Sequence, residues 1–163
     1  MYILSEAEFE IKYKLYAQEL MNVFYGYTKD KCASEDIIQN VFIKFLNCNK
    51  VFSNQNGEKY WLIRVAINEC KNHLRRKKKI VINEEVIEYI SPKVDEDDET
   101  YIVSKIVKDL PEKYRSVIIL FYYDSLSIDE ISEALKLSEA NVKKRLERAR
   151  KMIKVKLEEG YVR

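Results

Sequence analysis

Residues 127–151 read SIDEISEALKLSEANVKKRLERARK and carry two helix starts in one short span. Ser127 and Glu130 form an S-x-x-E capping box, in which each side chain satisfies the other residue's backbone N–H. Ile128, Ile131 and Leu135 then share one helical face. A second start follows at Ser138, with Glu139 in a first turn where the helix dipole favours an acid. Val142, Leu146, Ala149, Ile153 and Leu157 keep helical spacing along one side, and Lys143, Lys144, Arg148 and Lys151 occupy the other. A short helix, a tight turn and a longer helix with one apolar and one basic face is the pattern of a helix-turn-helix.

The rest of the composition agrees with an all-α chain. Among 163 residues there are only 3 Gly and 2 Pro, and 47% are hydrophobic. That favours helices over a turn-rich β fold and suffices for packed cores. The net charge of +2 averages basic clusters at 71–79 and 143–156 against an acidic segment at 84–99. Three cysteines (Cys32, Cys48 and Cys70) without a C-x-x-C pair, and a single histidine, argue against a disulfide framework or a zinc site. The N-terminus lacks the basic and apolar regions of a signal peptide, and no apolar run approaches the ~20 residues that span a bilayer. A cytoplasmic protein with no membrane insertion is expected.

Upstream, Ser5 and Glu8 make another capping box before a stripe of Phe9, Tyr13, Tyr16, Leu20, Val23 and Tyr27. After a polar connection over 28–33, Ser34 is placed to cap a second helix. Its Ile37, Val41 and Phe45 form one stripe, flanked by Ile38, Phe42 and Leu46, an apolar surface wider than one partner helix needs. Asp36, Gln39 and Asn40 sit at its edge, as a solvated face or a protein-docking surface. A polar loop over 50–58 leads to a third helix from about 58 to 79. There Arg64, Asn68, Lys71 and Arg75 make a polar and basic row that runs into Arg75-Arg76-Lys77-Lys78-Lys79. Such a run is either a solubilising helix end or, with the amides of Asn68 and Asn72, a nucleic-acid contact.

From Ile80 to Glu99 the periodicity fades, Ser91-Pro92 breaks any helix, and eight acids mark a linker. A helix over 100–109 is built on Ile102, Val103, Ile106 and Val107. Pro111 then opens another, with Tyr114, Val117, Ile118, Phe121 and Tyr122 as its apolar face. No catalytic constellation stands out: His73 has no Cys or Ser partner near it in sequence, and no phosphate-cradling glycine loop or metal-ligand spacing occurs. Neither enzyme activity nor a cofactor or metal is expected. The basic helix-turn-helix points to duplex DNA, with Asn141, Lys143 and Lys144 offering donors.

Taken together, ASEDIIQNVFIKFL (33–46), KYWLIRVAINECKNHLRRKKK (59–79) and LPEKYRSVIILFYYDSLSIDEISEALKLSEANVKKRLERAR (110–150) resemble an extracytoplasmic-function sigma factor, a specificity subunit of bacterial RNA polymerase. The resemblance covers roughly 8–79 and 100–157. It implies two small helical domains, a region 2 bundle over 1–80 and a region 4 helix-turn-helix over 100–163, joined by an acidic linker over 81–99. The E-D-x-x-Q-x-x-F helix would dock on core polymerase through Asp36, Gln39, Asn40 and Phe42. The W-L-x-x-x-A-x-N helix and the loop before it would open and read the minus-ten element. That assigns Asn54, Asn56, Arg64, Asn68, Lys71, Asn72, Arg75 and Arg76 to promoter DNA, with the loop 52–58 around a flipped base of the opened non-template strand. Ser138, Glu139, Asn141, Lys143, Lys144 and Arg148 would read the double-stranded minus-thirty-five element. Trp61 serves either core packing, which is favoured, or stacking on DNA. An anti-sigma factor is a further partner the resemblance allows for.

Three positions depart from the family pattern. Ser125, Lys136 and Ala140-Asn141 stand where the family often has Gly, Gly and Gly-Thr. Lys136 must therefore turn left-handed, or the chain must use a different turn. The alternative function is a stand-alone helix-turn-helix regulator. A dimeric regulator needs a self-complementary interface, and no spare heptad provides one.

Overall fold

The computed structural model describes residues 4–83 and 99–160, without the side chains of 78–83 and 100. Among these lie seven α-helices and no strand. The acidic linker, with its Ser91-Pro92 breaker, falls almost wholly outside the described residues.

Helix α1 (Glu6–Thr28) starts at the Ser5–Glu8 capping box and buries Tyr16, Leu20, Val23 and Tyr27 of the expected stripe. It ends at Lys29, whose φ of 53° is left-handed. Helix α2 (Lys31–Asn47) begins earlier than Ser34 would place it. Asp30 is the cap, its Oδ1 accepting the N–H groups of Cys32 and Ala33, and one carboxylate oxygen serving two donors outcompetes a hydroxyl. Ser34 is instead buried inside the helix, its hydroxyl donating to the Asp30 carbonyl at 2.8 Å. Ile38 and Phe42 are buried with Ile37, Val41 and Phe45, so α1 and α3 absorb most of the wide apolar surface of α2.

Helix α3 (Gln55–Asn83) also starts early, because Asn54 Oδ1 accepts the Gly57 N–H at 2.8 Å. It continues past residue 79, beyond the point where apolar periodicity fades. Trp61 packs between Phe45 and Phe52, at ring-centroid distances of 6.1 and 5.8 Å, which assigns it to the core.

After α4 (Glu99–Asp109), Pro111 is the cap of α5 (Glu112–Ile118), one place ahead of the first helical position. The apolar face then departs from sequence expectation. Residues Ile119–Tyr123 form a π-helical turn, closed by the Asp124 N–H donating to the Ile119 carbonyl at 3.2 Å. One extra residue in a turn rotates everything beyond it by about 100°. Ile119 and Leu120 are therefore the buried residues, while Tyr122, expected on the apolar face, is 54% exposed.

Helices α6 (Ile128–Leu135) and α7 (Glu139–Glu158) follow the opening stretch closely. Ser127 and Glu130 complete their box, and Ser138 Oγ accepts the Asn141 N–H. Lys136 does turn left-handed, with φ 54°, and Ser125 does so at φ 56°. Each such turn costs a residue with a Cβ about 1–2 kcal/mol. The Leu137 N–H donating to the Ser132 carbonyl at 3.0 Å, with Ser132 Oγ donating to the Leu137 carbonyl at 2.5 Å, holds the link in place.

The N-terminal bundle of α1, α2 and α3 shares one continuous core with α4 to α7. Helix α1 lies on the π-helical turn and α3 on α6. Their approach is close at Gly26, where an added Cβ would sit 2.8 Å from Ile119 Cγ2 and 3.4 Å from the Tyr123 ring. Ile119 is fully buried, so any shift disturbs the packing around it. Gly26→Ala is expected to destabilise the contact between the two helix groups by about 1–3 kcal/mol, increasing the radius of gyration in small-angle scattering while the helical circular dichroism stays unchanged.

Candidate nucleic-acid interface

The polar row of α3 is present, and part of it is occupied. Asn68, Arg75 and Arg76 are exposed and Asn72 is half-buried. Arg64 instead reaches across to α6, donating to the carbonyls of Ala134 at 3.1 Å and Glu133 at 3.4 Å. These are carbonyls of the last turn, which lack helical partners and carry the negative end of the dipole. Lys71 lies 3.6 Å from Glu112 of α5. The same carboxylate accepts from the Tyr27 hydroxyl at 2.7 Å and from Arg115 at 2.9 Å. Burial, followed by the Glu112 charge, drives the Tyr27 phenol well above its usual range. Two candidate DNA residues are thus spent on holding α3 against the C-terminal helices.

Before α3, the loop forms a cleft of about 440 Å³ between its own Phe52, Asn54 and Gln55 and the α1 residues Ile11, Leu15 and Tyr16. Its floor is rigid. Glu58 is buried and accepts from Lys12 Nζ at 2.6 and 2.7 Å and from the Tyr16 hydroxyl at 2.8 Å. Burial, and then that bond, push the Tyr16 phenol far up. Asn56 is exposed, and Asn54 spends its side-chain oxygen on capping α3. The α1 wall of this cleft was missed by sequence reasoning. The signal was there, because Ile11 and Leu15 are apolar residues off the buried stripe, 66% and 47% exposed.

On α7, Glu139, Lys143, Lys144 and Arg148 are exposed, and the Ser138 hydroxyl is taken by its capping role. Asn141 Oδ1 accepts from Arg145 Nε at 3.0 Å, so Arg145, four residues on and absent from the expected set, fixes the Asn141 amide. Arg148, followed by Lys113, draws the half-buried Tyr114 phenol below its usual range by hydrogen bonding. On α2, Asp36, Gln39 and Asn40 are exposed, whereas Phe42 is 2% exposed and packs on Phe9, Tyr13 and Phe45. Phe42 supports this surface from beneath and cannot itself meet a partner. Ile43, 54% exposed, continues the row at helical spacing from Gln39 and Asn40.

Residues 13–80 match Sigma-70 region 2, and residues 102–153 match Sigma-70 region 4. The chain is 30% identical over 152 residues to the RNA polymerase sigma factor YlaC of Bacillus subtilis (strain 168), covering 87% of each. It is 26% identical over 155 residues to the ECF RNA polymerase sigma factor SigM of the same strain, covering 91% of this chain and 94% of SigM. The chain belongs to the ECF sigma factors.

Solved folds agree with this sigma factor's helices. CnrH in complex with the cytosolic domain of CnrY superposes with a TM-score of 0.69 at 19% identity, over 96% of this chain and 91% of that one. The sigma factor RpoE of Bartonella quintana, in complex with the anti-sigma factor NepR, gives 0.64 at 21% identity over 95% and 98%. The exposed ammonium groups of the sigma factor's α7 have a direct test. Lys144→Ala is expected to lower duplex affinity and reduce the slope of log K against log salt by about one unit, as loss of one phosphate contact requires. Binding titrations across a salt series check it.

Proposed function

We propose that this sigma factor binds core RNA polymerase through the exposed row Asp36, Gln39, Asn40 and Ile43. We further propose that it captures the minus-ten strand with α3 and its cleft, and reads the minus-thirty-five element with α7. The observation that carries this reading is the exposed α2 row on a chain that also presents two basic surfaces. A stand-alone duplex-binding regulator would need the basic helix of α7 and has no use for the other two.

The chain would act by binding alone. Flipping a base out of the duplex costs a few kcal/mol, and stacking on an aromatic group returns about 1–3 kcal/mol per base. A cleft walled by Phe52, Ile11 and Leu15 fits that task, and the amides of Asn54 in its lining and of exposed Asn56 nearby would meet base edges. Arg64, Lys71, Asn72, Arg75 and Arg76 would follow the strand along α3. Action with polymerase places the chain in the cytoplasm, and among the described residues no helix is long and apolar enough to cross a membrane. An anti-sigma partner is proposed from the complexes in which the two similar folds were solved.

Geometry adds a condition. Elements named for positions ten and thirty-five bases upstream lie on the order of 85 Å apart, at about 3.4 Å per base pair. A packed chain of this length has a radius of gyration of about 15 Å. The two helix groups must separate for both elements to be read at once, freeing Arg64 and Lys71 as they part.

The test is reconstitution. Adding the purified chain to sigma-free core polymerase with fragments of its own genome is expected to yield discrete promoter-specific transcripts, and their absence together with absent core binding would refute the proposal. Asp36→Arg is expected to weaken core polymerase binding by at least tenfold, or about 1.4 kcal/mol, in a pull-down titration. Duplex binding should stay unchanged.

A further inference from the structure

The seam that must open contains buried acid. Asp124 directly follows the π-helical turn, and both of its carboxylate oxygens are buried without a hydrogen-bond partner, as is Glu19 Oε2 of α1. The groups facing Asp124 are Glu19 and Asn22 of α1, Lys59 of α3 and Glu130 of α6. The Asn22 amide does not complete a hydrogen bond to it. Lys59 is engaged by the other oxygen of Glu19 at 3.2 Å. The cation facing Asp124 is thus already paired with Glu19. With both oxygens buried and unpartnered, the Asp124 carboxylate carries a penalty that protonation removes.

We propose that packing of the two helix groups takes up a proton at this Asp124–Glu19 seam, so that acidification holds Arg64 and Lys71 away from DNA and neutral pH releases them. The control rests on the promoter-binding reading for its consequence, but the proton coupling itself does not.

The sign follows from the burial. Desolvation, with the Glu19 charge next, raises the packed Asp124 carboxyl from 3.8 to about 7. Once the groups part, it returns towards the ordinary value. The packed form therefore binds the extra proton between these limits: packing is tightest below the lower one, weakens as pH rises and levels off above about 7. Lys29 sets an opposite boundary at the same seam. Its ammonium lies over the Tyr123 ring at 4.0 Å and the Tyr25 ring at 5.0 Å, and burial lowers it from 10.5 to about 8. Above about 8 its loss of charge favours packing again. Packing is accordingly weakest between about pH 7 and 8.

Hydrogen exchange of the full chain, without DNA or polymerase, reads this equilibrium even where the open form is scarce. Protection of amides at 26–29 and 119–124 is compared at pH 5.5 and 7.5 after dividing out the intrinsic exchange rates. Amides of α2 serve as the internal reference. Seam protection is expected to be about tenfold or more higher at pH 5.5, with α2 unchanged. Asp124→Asn is expected to hold the high protection at both values. Seam protection that ignores pH in the native chain, or an Asp124→Asn chain that keeps the full dependence, would overturn the proposal. If Asp124→Asn does not fold, Glu19→Gln decides: it should move the transition to lower pH, and an unmoved transition counts against the seam. Because the readout contains no promoter, failure here and failure of promoter-directed transcription are separate results.

Discussion

Helix α1 can lie against the C-terminal helices because residue 26 has no side chain. The space a Cβ would need is filled by Ile119, itself placed by a π-helical turn that rotates the chain by one residue. The flanking contacts cluster around this approach. Tyr27 reaches Glu112, Lys29 reaches the Tyr123 hydroxyl at 2.7 Å, and α3 is carried over α6 so that Arg64 meets the carbonyls of its last turn. A seam of this kind is an interface between domains in one chain. Such interfaces are by default able to separate unless they are large and apolar.

The local devices of the fold were legible in the sequence, because a cap or a stripe is decided by residues three or four apart. The Ser5–Glu8 and Ser127–Glu130 boxes lie where spacing puts them, as do the apolar lines of α1, α6 and α7 apart from Tyr13 and Leu157, which are exposed. The left-handed turn at Lys136 was one of the two options its missing glycine left open. Competition between two good caps was not legible, since Asp30 and Ser34 each satisfy the rule; Asp30 Oδ1 takes two N–H groups while Ser34 turns its hydroxyl to Thr28 and the Asp30 carbonyl. The π-helical turn was hidden for a different reason. Over Val117 to Tyr123 every residue is apolar or aromatic, so the sequence carries no polar marker to show which side faces outward.

At the candidate sites, the exposed donors of α2, α3 and α7 could be named in advance because charge and amide groups at helical spacing announce a solvated row. What could not be read was which of them are in use. Arg64 and Lys71 belong to the same row as Asn68 and Arg75, yet their partners lie on helices some forty to seventy residues later in the chain. Phe42 sits in the row expected to dock a partner but is spent on the core, packing on Phe9 and Tyr13 of α1.

Energetics of the seam explain why charged groups are tolerated there at all. A contact selected only for stability would replace Asp124 and Lys29 with apolar residues of similar volume, since burying an uncompensated charge outweighs what imperfect partners return. Arg64 offers the complementary case. Its guanidinium is satisfied by backbone carbonyls, which are neutral acceptors, so a phosphate oxygen carrying full charge is the stronger partner once it is within reach. Glu112 likewise divides one carboxylate among Tyr27, Arg115 and Lys71, at 2.7, 2.9 and 3.6 Å, and holds the lysine most loosely. Of the donors assigned to DNA, Arg64 is thus held by neutral acceptors and Lys71 by a long contact to a shared carboxylate. The apolar contacts around Gly26 and Ile119 supply the attraction, the buried charges limit it, and in the function proposed above a nucleic acid would compete for Arg64 and Lys71.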